Sequence, residues 1–258
     1  MSAKQARGKT RTVDYAAERL RMIGSRLNFA AAESYKLLRT NLLFSFTGSS
    51  ECHVIGFTSS FPGEGKSLTA VNLAYTMAES KRSVLLIEGD MRLPTLNKRL
   101  SLHATPGLSN LLVGLSKESE AIQTFYATEG TDPVTLDVIV AGDEPPNPSE
   151  LLGSDRMISL LQVLRQHYDF IILDLPPVTA VSDALVASKL IDGMVLVVRS
   201  GRAVRGALAE TIRQLKLVNT RILGFAFNGA GGSGGGYYRR GGYYKNKGNY
   251  YYSGYAKK

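Results

Sequence analysis

The chain has 258 residues, 44% of them hydrophobic and 21% charged, enough for one well-filled α/β domain or at most two small ones. Its one cysteine, Cys52, excludes an intrachain disulfide and fits a reducing cytoplasm, and nothing suggests a Cys/His metal site. The net charge of +9 is carried by the ends: residues 1–30 carry +5, residues 229–258 carry +6 and the body between them −2, so the body does not read as a nucleic-acid-binding surface.

In chain order, residues 1–29 read as a basic arm. No signal peptide or apolar run of roughly eighteen residues is found, so the expected location is the cytoplasm. Residues 29–46 have helical composition and break at Gly48-Ser49-Ser50. Six short apolar runs then read as buried parallel strands, at 54–58, 84–87, 136–140, 170–173, 194–198 and 222–227. Amphipathic stretches at 68–80, 154–167, 182–191 and 204–218 separate most of them. Alternating strands and helices predict an α/β fold with a parallel sheet covered by helices on both faces. The folded body is expected over 30–228. Beyond it, residues 229–258 hold ten glycines and eight tyrosines with no aliphatic residue larger than alanine. Such a segment buries too little apolar area to offset its ordering entropy and is expected to be a disordered tail, with a reach of roughly 30 Å.

The phosphate motif is Ser60-Phe61-Pro62-Gly63-Glu64-Gly65-Lys66-Ser67, between the strand 54–58 and the helix opening at Leu68. That is the strand–loop–helix context of a P-loop. Gly63 and Gly65 let backbone amides turn inward around phosphate oxygens. Lys66 places positive charge at the β- and γ-phosphates and is expected to face solvent and ligand, and the Ser67 hydroxyl reaches Mg²⁺. Ser60 stands where the motif usually has its first glycine. ATP and Mg²⁺ are the expected cofactors, with Ser60, Pro62, Gly63, Glu64, Gly65, Lys66, Ser67 and Leu68 at the nucleotide.

Two strand ends supply carboxylates. Asp174 follows the strand 170–173 and precedes Pro176-Pro177, as a Walker B aspartate would. The strand 84–87 runs into Glu88-Gly89-Asp90-Met91-Arg92, placing two acids at the sheet edge where open α/β folds bind ligands.

Together, the P-loop, the segment from Leu85 to Pro94, Ile171-Ile172-Leu173-Asp174-Leu175-Pro176-Pro177, Ser182-Asp183-Ala184 and the terminal tyrosines resemble the bacterial tyrosine kinases with their Walker A, A′ and B motifs. The resemblance runs from about Ala30 to the C-terminus. It implies Mg·ATP-dependent autophosphorylation between subunits of a homo-oligomeric ring and control of capsule or exopolysaccharide synthesis. The implied partners are a membrane activator that recruits the chain to the inner face of the membrane, a phosphotyrosine phosphatase and other protein substrates. Nucleic acid is not expected as a main partner. By position, Lys66 would bind phosphates, and Ser67, Asp90 and Asp174 would manage the metal. Either Glu88 or Asp90 would orient or deprotonate the tyrosine hydroxyl. The acceptors would be Tyr237, Tyr238, Tyr243, Tyr244, Tyr250, Tyr251, Tyr252 and Tyr255. The family's E-x-x-R-x-x-R oligomerisation motif corresponds to Glu33, Lys36 and Arg39, with lysine for the first arginine. Glu88 departs too, standing where the family usually has aspartate.

A positioning ATPase of the MinD/ParA kind shares the fold and the Walker motifs. Those proteins carry a lysine early in the P-loop, at the position of Phe61 here, and that reading gives the tyrosines no purpose.

Overall fold

The computed structural model describes residues 23–47, 51–127 and 133–229. A seven-stranded sheet has the spatial order β3-β4-β2-β5-β1-β6-β7. Its strands are β1 (His53–Ser59), β2 (Val84–Glu88), β3 (Ile122–Tyr126), β4 (Thr135–Ile139), β5 (Phe170–Asp174), β6 (Gly193–Arg199) and β7 (Ile222–Asn228). All neighbours pair in parallel except β3, which runs antiparallel along β4.

The six expected strands are present. β3 was not expected: Ile122-Gln123-Thr124-Phe125-Tyr126 lacks an apolar run because only one side of this edge strand is covered, and none of its residues is fully buried.

The period of two sorts each central strand onto two apolar layers. Leu85 and Ile87, Ile171 and Leu173, and Met194 and Leu196 face one layer, packed by Met157, Leu160, Leu161 and Leu164 of α7 (Asp155–Leu164). Ile55 and Phe57, Leu86, Ile172 and Val197 face the other, packed by Ala70, Val71, Leu73, Ala74 and Met77 of α2 (Lys66–Glu79). Each fully buried leucine contributes about 1.5–3 kcal/mol by its removal from water. α2 is buried nearly all round, being enclosed between the sheet and another helix, and its buried polar residues Thr69, Asn72 and Thr76 bond to main-chain carbonyls of their own helix or its cap.

α1 (Phe29–Ser45) lies on α2. Its Asn28 cap accepts from Ala31 N at 2.9 Å, and beyond its end Phe46 stacks on His53 with ring centroids 4.1 Å apart. The packed body begins before this helix: Ile23 is buried, and Gly24 N donates to Asn72 Oδ1 at 2.9 Å. Packing therefore starts seven residues before the expected boundary at residue 30, and residues 1–22 lie outside the described residues.

Between β2 and α7 the chain forms four short helices: α3 (Leu96–Leu100), α4 (Leu108–Val113), α5 (Glu118–Ala121) and α6 (Pro148–Leu152). α8 (Asp183–Ala187) and α9 (Arg205–Leu217) complete the cover. No helix among the described residues is long and apolar enough to cross a membrane.

Candidate active site

β1 delivers the chain into the P-loop at the carboxyl edge of the sheet. Gly63 and Gly65 have φ of +80° and +95°, the left-handed region that favours glycine. A Cβ on Gly65 would stand 1.9 Å from Asn228 Nδ2. Ser60 is not among the residues with positive φ, which is why the site dispenses with glycine there. Its Oγ accepts from Thr211 Oγ1 at 3.0 Å.

Side chains from outside hold the loop's carbonyls. Thr179 Oγ1 donates to Ser60 O, Ser59 Oγ to Phe61 O at 2.8 Å, Arg199 to Gly63 O at 3.0 Å and Asn228 Nδ2 to Glu64 O at 3.1 Å. A trans peptide sets its C=O and N–H on opposite sides. Fixing the Gly63 and Glu64 carbonyls outward therefore turns the amides of Glu64 and Gly65 into the loop, where an anion is received. The Glu64 carboxylate is itself buried and accepts from Phe61 N at 3.0 Å, and Leu68 packs on the core beneath the loop.

Lys66 and Ser67 open α2. Lys66 Nζ lies 2.9 Å from Asp90 Oδ2, 3.5 Å from Asp174 Oδ1 and 3.4 Å from Ser67 Oγ. The three strand ends thus bring Lys66, Ser67, Asp90 and Asp174 together. The expectation that Lys66 faces solvent is corrected: the residue is 8% exposed and sits in an ion-paired cluster. Burial alone would lower its pKa, but the carboxylates of Asp174 and Asp90 outweigh that and hold the ammonium above its usual value.

Asp174 is fully buried at the end of β5, and its Oδ2 has no hydrogen-bond partner among the described residues. Burial pushes its carboxyl up, and Lys66 opposes that shift most. An orphaned carboxylate oxygen next to a serine hydroxyl and a second aspartate fits a divalent cation. Among the described residues, no three His, Cys, Asp or Glu side chains form a metal cluster by themselves. A Mg²⁺ shared with nucleotide phosphates requires no such cluster, since protein supplies only one or two carboxylates.

Glu88 is turned elsewhere. It registers with Asp174 across β2 and β5, but Oε1 accepts from Thr95 N and from Leu96 N at 2.7 Å, and Oε2 from Ala141 N at 3.2 Å. Burial pushes this carboxyl up to about 7 against the downward pull of those amides. Asp90 completes the loop, its Oδ1 accepting from Leu93 N at 3.1 Å. Arg92 grips buried Asp183 with Nε at 3.0 Å and Nη2 at 3.2 Å.

The α1 residues divide. Lys36 Nζ pairs with Glu33 on the same helix at 2.9 Å, both about half exposed. Arg39 turns inward and donates to Thr76 O at 2.7 Å, capping a carbonyl in the last turn of α2 within its own subunit. The eight expected acceptor tyrosines lie outside the described residues.

Against known proteins, the chain matches an AAA domain family model over residues 52–223. It is 37% identical to tyrosine-protein kinase YwqD of Bacillus subtilis over 77% of this chain and 81% of that protein. It is 32% identical to putative tyrosine-protein kinase CapB of Staphylococcus aureus, covering 76% of this chain and 83% of that one. The kinase domain of Escherichia coli tyrosine kinase ETK superposes with a TM-score of 0.74 at 33% identity, over 82% of this chain and 80% of that domain. The chain belongs to the bacterial tyrosine kinases.

This bacterial tyrosine kinase also uses residues that sequence reasoning passed over. Arg199 and Asn228 carry the P-loop carbonyls, and both are the last residues of their strands, β6 and β7. A polar residue closing an apolar strand at the ligand-binding edge was the available signal. Thr179 and Thr211, in a loop and mid-helix, gave none.

Proposed function

We propose that this chain transfers the γ-phosphoryl group of Mg·ATP to tyrosines of its own C-terminal segment, acting in trans within a homo-oligomer. The observation that carries this reading is the convergence of Lys66, Ser67, Asp90 and Asp174 at a P-loop whose Gly63 and Glu64 carbonyls are held by Arg199 and Asn228. Mg²⁺, when bound, would supply positive charge to the transferring phosphoryl group. Ser67, Asp90 and Asp174 would hold the metal. Lys66, released from its two carboxylates, would turn to the phosphates. A tyrosine oxygen forms the new bond to the γ-phosphorus as the bond from that phosphorus to the β–γ bridging oxygen breaks, ADP leaves with that oxygen, and the hydroxyl proton goes toward a carboxylate at the end of β2.

The acceptors would be Tyr237, Tyr238, Tyr243, Tyr244, Tyr250, Tyr251, Tyr252 and Tyr255. Tyr75 is buried with its hydroxyl on Glu79, and the Tyr168 hydroxyl donates to Asp137 at 2.9 Å, so both would have to be freed before reacting. The Glu33–Lys36 pair remains at the surface of α1 for a neighbouring subunit, whereas Arg39 is already engaged. Each phosphate adds about −1.5 to −2 charges, so three or four would cancel the +6 of residues 229–258. That weakens any docking against acidic groups and makes the modification self-limiting. A membrane activator at the inner face of the membrane, a phosphotyrosine phosphatase and a role in capsule or exopolysaccharide synthesis complete the reading, as the family resemblance implies.

Mixing tests the trans route. A Lys66→Met chain with an intact C-terminus is incubated with Mg·ATP and a wild-type chain truncated after residue 229. Phosphotyrosine on the Lys66→Met chain, rising with the concentration of the truncated one, is expected. Phosphotyrosine only on full-length wild type, at a rate independent of its concentration, would place the reaction in cis.

A further inference from the structure

Glu88 occupies the position from which the resemblance expects an acid to serve the tyrosine hydroxyl, yet its side chain is committed to the backbone. It is 1% exposed, and both of its oxygens accept from main-chain amides. Thr95 and Leu96 are the cap and first residue of α3, so one oxygen closes the start of that helix. Ala141 follows β4, the neighbour of β2 on the side away from β5 and Asp174. One of its partners therefore comes from the end of β4 and the others from α3, while the Lys66 ammonium forms its ion pairs with Asp90 and Asp174.

The loop between β2 and α3 is fastened at three points. Glu88 holds its two ends together by bonding residues seven and eight positions further on. Arg92 anchors its middle to Asp183 on α8. Between these, Asp90 has one oxygen on Leu93 N and the other on Lys66. The extra methylene of glutamate is what gives this reach. An aspartate at 88 would end about 1.5 Å short of the α3 amides.

We propose that Glu88 is a positioning residue, a clamp that shapes the 88–96 loop so that Asp90 is its one carboxylate presented to the Mg·ATP and tyrosine. This rests on the kinase reading above and narrows it: the end of β2 contributes one reacting carboxylate, and the acceptor proton is not taken by Glu88.

The two conservative variants separate the roles by rank. Glutamine at 88 keeps an oxygen for Thr95 and Leu96 and loses only the bond to Ala141, where its NH₂ meets an N–H. Aspartate keeps the charge and loses the reach. A clamp therefore predicts Glu88→Gln to be the more active variant, within about tenfold of wild type, and Glu88→Asp the weaker. A base predicts the reverse, with Glu88→Asp active and Glu88→Gln about 10²–10⁴-fold down.

Hydrogen exchange on the full chain without nucleotide gives a readout independent of activity. In Glu88→Asp, the amides of Thr95, Leu96 and Ala141 are expected to exchange at least about tenfold faster, while those of β5 stay unchanged. In Glu88→Gln only Ala141 should accelerate. Unaltered exchange at all three amides in Glu88→Asp, or Glu88→Asp outperforming Glu88→Gln in tyrosine phosphorylation, overturns the clamp. If wild type itself phosphorylates no tyrosine, the kinase reading fails instead, and the exchange result still decides the clamp.

Discussion

Replacing Lys66 with methionine is expected to lower tyrosine phosphorylation by about 10²–10³-fold or more, because it removes the fixed positive charge from the phosphoryl-transfer site. It is also expected to destabilise the nucleotide-free protein. The ammonium lies between Asp90 and Asp174, which are 2% and 0% exposed, and without it both buried carboxylates lose their counter-charge. Breaking a buried pair in this way costs about 3–5 kcal/mol, less whatever the carboxylates recover by taking up a proton. A urea titration should show a lower midpoint with an unchanged slope. Phosphorylation near the wild-type level by the folded variant would remove Lys66 from the mechanism.

Asp174→Asn should lose Mg²⁺-dependent turnover to a similar degree, since an amide is a weak ligand for a hard cation. Its effect on stability has the opposite sign. Asp174 holds a fully buried carboxylate whose Oδ2 has no hydrogen-bond partner among the described residues and whose pKa burial pushes upward. Neutralising it relieves desolvation while leaving Lys66 paired with Asp90, so the nucleotide-free variant should melt at or above the wild-type temperature. Two variants equally inactive but shifted oppositely in melting temperature would mark the cluster as strained toward ligand binding. A Asp174→Asn chain with unchanged Mg²⁺ dependence contradicts the metal assignment. One that melts well below wild type contradicts the stability argument.

How far the site was legible follows from where its residues sit. Lys66, Ser67 and Asp174 were readable because strand, turn chemistry and a single residue type coincide at each. Asp90 was readable for the same reason, but its division of labour with Glu88 was not. Two acids two residues apart at the end of one strand look equivalent in sequence, and only the fold shows that one of them reaches α3 and Ala141. The central strands were legible because burial on both faces writes itself as an unbroken apolar run, while β3, covered on one side only, left no such mark. Arg39 illustrates a different limit: its spacing from Glu33 and Lys36 suggested one shared charged face, but a long side chain reaches the end of α2 from the edge of that face.

The most direct test of the account is to map phosphate by mass spectrometry on the wild-type chain after incubation with Mg·ATP, alongside the Lys66→Met chain as a blank. The account predicts phosphotyrosine concentrated at Tyr237, Tyr238, Tyr243, Tyr244, Tyr250, Tyr251, Tyr252 and Tyr255, dependent on Mg²⁺ and absent from the blank. Tyr126, 68% exposed at the far end of β3, provides an internal comparison within the folded body. Phosphate found mainly at Tyr126 or other tyrosines outside 237–255, or none on tyrosine at all, would contradict it.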